Sequence, residues 1–321
     1  MKSSFKVLYL LNIITCTSMS YAAIPSVTLP NGINLGATSF YDGFGGKPND
    51  SIWQTYIGYS NAGNLKDSHG NNALPGKSSL KTTVINNQYV YMFDTQKTIL
   101  GGHPGLDLIV PFIHLDADMN GPVQLKDKPF GMGDPTIGID IQHDPIYFKN
   151  NPIFSDRLGV GITIPVGEYD KNKDINPGAN FSSIFLYAAM TFNFNENISL
   201  SLRPYYYYNF KNTSPSSSIP LDDNIRNTQS GQFLTTNYNL GYKMGEHLTL
   251  GINGYYLHQL TKDKINNETI DNSKENVFAI GPAFMLDYGN NKFYVTSHKE
   301  SKVENRFENS ENVIFRWLYL F

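Results

Sequence analysis

About twelve segments of the chain alternate apolar and polar residues with a period of two, and no other sequence feature limits the available folds as strongly. In the segment 154–166, Leu158, Val160 and Ile162 share one face of an extended strand, while glycines occupy the opposite face. Segments of about ten residues with this pattern, separated by turn residues, are typical of transmembrane β-barrels. The predicted strands are 51–60, 81–94, 105–116, 131–144, 154–166, 183–194, 197–209, 232–243, 247–259, 276–288, 292–303 and 311–321.

The lengths of the predicted connections largely alternate, which favours a barrel over a soluble β-sandwich. With both termini on the periplasmic side, the odd connections face outside and are mostly long and polar, whereas several even connections are tight turns such as Asn195-Glu196. The even connections 95–104 and 145–153 are longer and fit this alternation less well. The outer connections are 61–80, 117–130, 167–182, 210–231 and 260–275, followed by a shorter one near 304–310.

The last segment of the chain is the most specific single signal. Its odd-numbered positions from 313 onward are all large and apolar, and the final residue is a phenylalanine. In a barrel these side chains face lipid, whereas a soluble protein would need a core to cover them. We therefore predict that this strand is the signal recognised by the barrel assembly machinery, through Val313, Phe315, Trp317, Tyr319 and Phe321.

The first 22 residues have the three parts of an export signal peptide. Lys2 and Lys6 precede an apolar run, and Ser20 and Ala22 provide a small-x-small cleavage site. Cleavage removes two lysines from a chain whose formal net charge is −3, so the mature protein is acidic and unsuited to nucleic-acid binding. Cleavage also removes the single cysteine, Cys16, so we expect no disulfide and no cysteine-based metal site.

These patterns predict an all-β protein of the bacterial outer membrane. The fold class is a transmembrane antiparallel up-and-down β-barrel of about twelve strands. The predicted organisation is a signal peptide over residues 1–22, an N-terminal segment over 23–50 and the barrel over 51–321. The segment 23–50 contains Pro25, Pro30 and several glycines, and it is either a periplasmic tail or a plug inserted into the lumen.

The same alternation assigns polar side chains to the barrel interior. Inward charges would set the selectivity of a water-filled pore, and inward tyrosines would suit planar, weakly polar solutes. The alternative is that the charges form cross-strand ion pairs that stiffen the wall. A barrel of about twelve strands is intermediate in width, so a narrow channel and a blocked lumen both remain open. The candidate lumen residues are Asp134, Asp140, Arg157, Arg203, Tyr205, Tyr207, Tyr255, His298 and Arg316.

Short phrases near the predicted strand ends resemble a known family. They are GMGDP at 131–135, PVGEYD at 165–170, GYYLHQL at 254–260 and ENR at 304–306. In this order and spacing they resemble the outer-membrane transporters grouped under the meta-pathway of phenol degradation, over a match from about Ala37 to Phe321. The resemblance implies passive uptake of small hydrophobic or aromatic compounds. The catabolic name reflects gene neighbourhood, so the resemblance does not imply phenol breakdown.

The sequence lacks three common motifs of hydrolases, nucleotide-binding proteins and zinc enzymes. The segment 58–62 lacks the last glycine of a Gly-x-Ser-x-Gly elbow, and neither a phosphate-binding loop nor a His-Glu-x-x-His motif is present. We therefore expect no enzyme activity, cofactor or metal. The alternatives are a lipid-modifying enzyme on the same fold and a structural or adhesive barrel that binds through loops 210–231 and 260–275. The expected partners are outer-membrane lipid and lipopolysaccharide, the barrel assembly machinery and small hydrophobic or aromatic solutes.

Overall fold

The structure is a computed structural model, and it describes residues 27–321 apart from 28, 31, 74, 75, 95, 96, 121–124 and 217–224. The predicted signal peptide, residues 1–22, lies outside the described residues, as do residues 23–26. In the described part of the chain the regular secondary structure consists of seventeen β-strands. No helix in that part is long and apolar enough to cross a membrane.

Twelve long strands build the fold, and five short ones accompany them. In chain order the strands are β1 (Ser51–Leu65), β2 (Lys77–Met92), β3 (His103–Asn120), β4 (Phe130–Met132), β5 (Thr136–Gln142), β6 (Ile146–Phe148), β7 (Asn151–Thr163), β8 (Ser183–Asn193), β9 (Ile198–Asn209), β10 (Thr228–Gln229), β11 (Phe233–Met244), β12 (Leu248–Gln259), β13 (Lys264–Ile265), β14 (Glu268–Thr269), β15 (Asn276–Tyr288), β16 (Asn291–Glu304) and β17 (Phe307–Leu320). The short strands are β4, β6, β10, β13 and β14.

The long strands form a single closed sheet. Each pairs antiparallel with the next long strand of the chain. The sheet closes because β1 pairs with both β2 and β17, so that Ile52 lies opposite Val90 on one side and Leu320 on the other. Closure removes the unpaired strand edges that lipid would not tolerate. The predicted fold class, an antiparallel up-and-down barrel of about twelve strands, is therefore confirmed.

Apolar side chains cover the outside of the barrel, and its interior is mainly polar or aromatic. On β5, Ile139 is 54% exposed and the next residue, Asp140, is 2% exposed. Leu158 and Val160 of β7 are exposed on the outer face, as the alternation predicts. Apolar surface costs about 25 cal/mol per Å² in water. A bilayer is therefore the environment in which this outer surface is stable.

The two ends of the barrel differ, and we name them by their connections. At the short-turn rim, β11 meets β12 and β15 meets β16 through turns that contain Gly245 and Gly289, with φ of 72° and 68°. Glycine adopts these positive φ values without strain, so the tight turns form there. At the long-loop rim lie the connections 164–182, 210–232 and 260–275, of which the last two are joined by pairing of β10 with β13.

The predicted strand 131–144 is interrupted. The chain leaves the sheet at residues 133–135, between β4 and β5. Pro135 has no N–H for the ladder, and the Asp134 carboxylate accepts hydrogen bonds from the N–H groups of Gly167 at 2.8 Å and Ala179 at 2.6 Å. Asp134 therefore holds the loop between β7 and β8 against the strand ends.

The C-terminal strand presents its aromatic face to the outside. Val313 and Phe315 are exposed on β17, and Trp317 Nε1 donates a hydrogen bond to Asn291 Oδ1 at the short-turn rim. Tyr319 and Phe321 meet edge to face, with ring centroids 4.8 Å apart. Rings at this depth would form an interfacial aromatic girdle. Their recognition by the assembly machinery stays a prediction.

Candidate functional site

The interior of the barrel contacts the N-terminal segment, which we define as residues 27–50. The Gly36 N–H donates to Asn237 Oδ1 on β11 at 2.6 Å, and Asn237 Nδ2 donates to the Asn34 carbonyl at 2.9 Å. On the next strand, β12, Asn253 Nδ2 donates to the Thr38 carbonyl at 2.7 Å. Inward asparagines thus satisfy the backbone of an irregular segment in a region where water is excluded.

Phe40 anchors the middle of this segment. Its side chain is 1% exposed and packs with Ala283, Met285 and Tyr294. The ring lies over two inward glycines of neighbouring strands: a Cβ added at Gly241 or Gly251 would lie 2.7 Å from a ring carbon. Two residues without side chains therefore make the space that this ring fills.

Gly43 fastens the segment to β5, β7 and β8. Its N–H donates to Thr191 Oγ1 at 2.9 Å, and its carbonyl accepts from Ser155 Oγ at 2.9 Å and from Gln142 Nε2 at 3.0 Å. A Cβ at this position would lie 2.3 Å from the Ser155 carbonyl oxygen, so glycine is required for this close approach.

An ion pair joins the segment to β9. The Nε of Arg203 lies 2.5 Å from Asp42 Oδ2, and its Nη2 donates to Asp42 Oδ1 at 2.8 Å. The remaining terminal nitrogen, Nη1, donates to the Tyr205 hydroxyl at 3.2 Å. Both charged groups are buried. Only the Nη2–Oδ1 contact has hydrogen-bond geometry, because Arg203 Nε and Asp42 Oδ2 are buried without a hydrogen-bond partner. The contact is therefore a close ion pair with one charge-assisted hydrogen bond.

Five aromatic residues form what we call the aromatic wall: Phe185, Tyr187, Tyr205, Tyr207 and Phe233, on β8, β9 and β11. Tyr207 stacks on Phe233 with centroids 4.5 Å apart, and Tyr187 lies 5.1 Å from Tyr205. The Arg203 guanidinium lies 5.1 Å from the Tyr187 centroid, a cation–π contact. Leu29, Ile33 and Leu35 of the N-terminal segment pack in the same apolar cluster.

A second polar cluster extends from the aromatic wall along β5, β7 and β3. The Tyr187 hydroxyl donates to Asp140 Oδ1 at 2.5 Å, and Arg157 Nε lies 3.8 Å from Asp140 Oδ2. On β3, Asp107 accepts from Gln88 Nε2 at 2.8 and 2.9 Å. This cluster fits the cross-strand pairing that was one of the two interpretations of the inward charges.

Arg316 occupies the wall on the other side of the barrel. Its guanidinium lies 3.6 Å from the Tyr294 ring centroid and 5.6 Å from that of Tyr56. Among the residues that the structure describes, Arg316 forms no ion pair, and its buried Nε has no hydrogen-bond partner. The cation is thus held by aromatic faces and keeps an unused donor.

The N-terminal segment covers the inner wall of the barrel mainly on one side. On the covered side, formed by β8, β9, β11 and β12, inward residues contact the N-terminal segment and are fully buried. On the half-exposed side, formed by β17, β1 and β2, several inward residues in the middle of the strands are only half-buried. The fully buried set includes Thr191, Ser201, Asn237, Asn239 and Asn253, and the half-buried set includes Tyr56, Gly58, Val84, Asn86 and Asn312.

The short-turn end of the half-exposed side is apolar. Ile52, Val90 and Met92 pack there with Leu318 and Leu320. Inward apolar residues at this level depart from the polar lining of an open pore. Together with the Phe40 cluster they narrow the interior at this rim.

Buried carboxyl groups also lie at the long-loop rim, outside the membrane-spanning strands. Burial raises the pKa of Asp263 to about 7, although Gly231 N–H and Gln259 donate hydrogen bonds to it. Burial also raises the pKa of Glu275 to about 8, and Arg306, whose Nη1 lies 3.5 Å from Glu275 Oε2, opposes this rise. Because the buried forms of these groups favour protonation, we expect the packing of these loops to depend on pH.

The remaining candidates lie on β12 and β16. His298 Nε2 is 2.5 Å from Asn253 Oδ1, and the Tyr255 hydroxyl donates to Glu300 Oε1 at 2.6 Å. The His298 ring also lies against Gly36, where φ is 81° and an added Cβ would be 2.5 Å from Cε1. Both side chains are buried inside the barrel and take part in its internal packing.

The structure brings some sequence-predicted residues together and separates others. Arg157, Asp140, Arg203, Tyr205 and Tyr207 form one connected group with the aromatic wall. Arg316 lies on the half-exposed side, His298 and Tyr255 lie beside the N-terminal segment, and Asp134 holds a loop. The sequence interpretation missed Asp42, Phe185, Tyr187, Phe233 and Asp107. Inward parity on the predicted strands could have identified all of these except Asp42, which precedes the first strand.

Within residues 27–321, apart from the gaps given above, no three His, Cys, Asp or Glu side chains are grouped as a metal site.

Comparisons with known proteins give a family and a fold. The model of the MetA-pathway of phenol degradation family matches residues 62–316. The fold is similar to the crystal structure of an outer membrane channel from Pseudomonas putida F1, with a TM-score of 0.73 and 14% identity over 88% of this chain and 98% of that chain. It is also similar to the beta domain of the Bordetella autotransporter BrkA, with a TM-score of 0.50 and 6% identity over 84% and 99% of the two chains. No curated protein sequence matches the chain.

Proposed function

Because this chain belongs to the MetA-pathway of phenol degradation family, we propose that it is an outer-membrane channel for passive uptake of small hydrophobic or aromatic compounds. The observation that carries the proposal is the distribution of side chains on the barrel, with apolar residues on the outer face and polar or aromatic residues on the inner face. The similar fold from Pseudomonas putida is that of an outer membrane channel. A protein of this kind moves its solute without a catalytic step.

The aromatic wall supports the choice of solute. Stacked rings offer a planar surface to an aromatic solute, and such contacts contribute about 0.5–1.5 kcal/mol per ring pair beyond burial. The wall extends along β8, β9 and β11, with Phe233 next to the long-loop rim and Tyr187 among the charged side chains of the interior. A solute entering from the long-loop rim would contact rings before it reached the charged groups.

The N-terminal segment acts in this proposal as a removable plug. It covers the aromatic wall and contacts inward residues of β5, β7, β8, β9, β11 and β12. A solute that uses the wall must therefore pass while the segment is displaced. The half-exposed side shows that the segment does not fill the whole interior.

The apolar outer surface also implies a place and partners. We place the barrel in the outer membrane, with lipid and lipopolysaccharide around it and the short-turn rim in the periplasm. The barrel assembly machinery would insert it by recognising the strand that ends at Phe321. The segment 1–22 would direct export.

Liposome swelling tests the proposal. Vesicles carrying the mature protein should swell faster in benzoate-like solutes than in sugars of similar size. A double variant, Tyr205→Ser with Tyr207→Ser, should lose most of this preference, and Tyr208→Ser on the outer face is the matched control. Equal rates for both solute classes would refute the aromatic preference, and swelling no faster than in protein-free vesicles would refute the channel.

A further inference from the structure

The Asp42 carboxylate lies where a solute carboxylate could bind. It accepts one hydrogen bond from Arg203 Nη2, and its other oxygen lies 2.5 Å from Arg203 Nε, which is buried without a hydrogen-bond partner. Arginine presents a planar fork that matches any carboxylate, whether it belongs to the protein or to a small molecule. Asp42 is held by an irregular segment rather than by a barrel strand, so it can leave without breaking the sheet.

The apolar part of the same segment lies where an apolar solute body could bind. Leu29, Ile33 and Leu35 pack in the cluster that contains the aromatic wall. The wall begins at Arg203 itself, whose Nη1 donates to the Tyr205 hydroxyl. Arg203 and the rings are therefore adjacent, with the guanidinium 5.1 Å from the Tyr187 ring centroid. The segment thus contributes aliphatic side chains to the cluster that contains the rings, its Asn34 Nδ2 donates to the Tyr205 hydroxyl at 3.2 Å, and its Asp42 carboxylate pairs with the cation.

The charges of the surrounding wall favour an anion once Asp42 leaves. Asp42 lies within electrostatic range of Arg157, Arg203 and Arg316. Without it, these three cations face two inward carboxylates of the same cluster, Asp107 and Asp140. This part of the interior then carries an excess positive charge, which a bound anion would neutralise.

From these contacts we infer that the lumen contains a binding site for small aromatic carboxylates, formed by Arg203 and the aromatic wall and occupied here by the N-terminal segment. The inference rests on the proposed channel function and narrows its solute class from aromatic compounds to aromatic acids. A solute competes directly with Asp42, so the seated segment lowers the apparent affinity of the site. When the acid binds, its carboxylate replaces that of Asp42 on Arg203, and the segment is released.

Binding measurements on the mature protein in detergent test this site. Isothermal titration calorimetry compares benzoate with its neutral analogue benzyl alcohol. Asp42→Asn keeps the side-chain shape but removes the competing charge, so benzoate should bind about tenfold more tightly, a change of about 1.4 kcal/mol. Arg203→Gln should abolish the preference for benzoate. Asp50→Asn is the matched control, because it removes a charge from the same segment at a site away from Arg203, where the carboxylate accepts from Lys47 N–H at 2.7 Å.

A labelling experiment on the otherwise unchanged chain gives an independent readout. The single cysteine, Cys16, belongs to the predicted signal peptide, so Ser39→Cys introduces a unique thiol. Ser39 is 1% exposed beside Phe40. Benzoate should accelerate maleimide labelling of this thiol severalfold, whereas benzyl alcohol should not. Equal effects of the two compounds, or unchanged benzoate affinity in folded Asp42→Asn, would overturn the inference.

The two proposals fail in different ways. If benzoate binds as expected but no solute enters liposomes, the carboxylate site stands and the channel is refuted. If solutes enter but Asp42→Asn leaves benzoate binding unchanged, the channel stands and the carboxylate site is refuted. Loss of the heat-dependent gel mobility of a folded barrel identifies a variant that has not folded, and the labelling experiment then decides.

Discussion

The covered side and the half-exposed side of the barrel interior are both built from antiparallel β-strands, but their inward side chains have different neighbours. On the covered side, asparagines, small residues and glycines accept the N-terminal segment, and Gly241 and Gly251 leave room for Phe40. On the half-exposed side, Tyr56 and Arg316 contact each other and their neighbours on the wall. The difference shows that inward polarity alone does not define a pore. Inward polar side chains can form hydrogen bonds either with water or with a segment of their own chain.

Removal of residues 27–42 should have the largest effect on this comparison. The covered side would then become as exposed as the opposite side, and the open cross-section would grow. Conductance in planar bilayers should rise severalfold because current follows the open area. Lys47→Ala, an exposed change in the retained part of the segment, is the control. Unchanged conductance after the deletion would show that the segment does not limit the passage.

A pair of glycine substitutions tests the two sides directly. In Gly241→Ala the new methyl group meets Phe40, and such overpacking costs about 1–3 kcal/mol. In Gly58→Ala, on the half-exposed side, the nearest atoms lie 3.9 Å from the added Cβ. We expect Gly241→Ala to raise the frequency of open states and Gly58→Ala to leave it unchanged. An equal change in the frequency of open states for both variants would show that the two sides do not differ in how they hold the N-terminal segment.

The carboxyl groups at the long-loop rim predict a pH effect confined to the loops 227–232 and 260–275. Burial raises the pKa of Asp263 from its usual 3.8 to about 7, so the folded loops favour the protonated form. Their stability is complete below about pH 4 and is lost as the pH rises through about 7. Nearby Glu275 extends the effect to about 8, with Arg306 opposing it and Glu300 adding to it.

Hydrogen exchange provides the measurement for this pH effect. After correction for intrinsic rates, exchange in the two loops should accelerate between about pH 4 and about pH 8 and then level off. Asp263→Asn should remove a large part of the acceleration. The loop 66–73 is the internal control, and an equal change there would contradict the assignment to the buried carboxyl groups.

Arg316→Gln should have the smallest effect. Arg316 does not contact the N-terminal segment through any described hydrogen bond or ion pair, so the segment should stay seated. Loss of one cation from the half-exposed side should shift ion preference toward cations, by less than about twofold in permeability ratio because the remaining charges persist. Reversal potentials in a salt gradient measure this shift. A large rise in conductance would show that Arg316 supports the segment after all.

The strands were predictable because period-two alternation is a local property. Leu158 and Val160 face outward on β7 and Arg203 and Tyr205 face inward on β9, as their parity indicates. The break at 133–135 was missed, because the hydrogen bonds that hold Asp134 come from a loop more than thirty residues away. Alternation carries no information about such contacts.

The contents of the interior were harder to predict. The Arg203–Asp42 pair joins residues 161 positions apart, and the Asn253–Thr38 bond joins residues 215 apart. One signal was present in the sequence: Gly241 and Gly251 stand opposite each other on β11 and β12, which leaves a gap that some ring must fill. Inward apolar residues such as Met92 were a second signal, since lumen water would not favour them.

Single-channel recording of the mature protein tests the central claim most directly, namely that this barrel spans a bilayer and conducts through an interior partly filled by its own N-terminal segment. The account predicts small discrete openings for the complete chain and larger ones after removal of residues 27–42. If neither protein conducts above the bare bilayer although both are folded and inserted, the account is wrong.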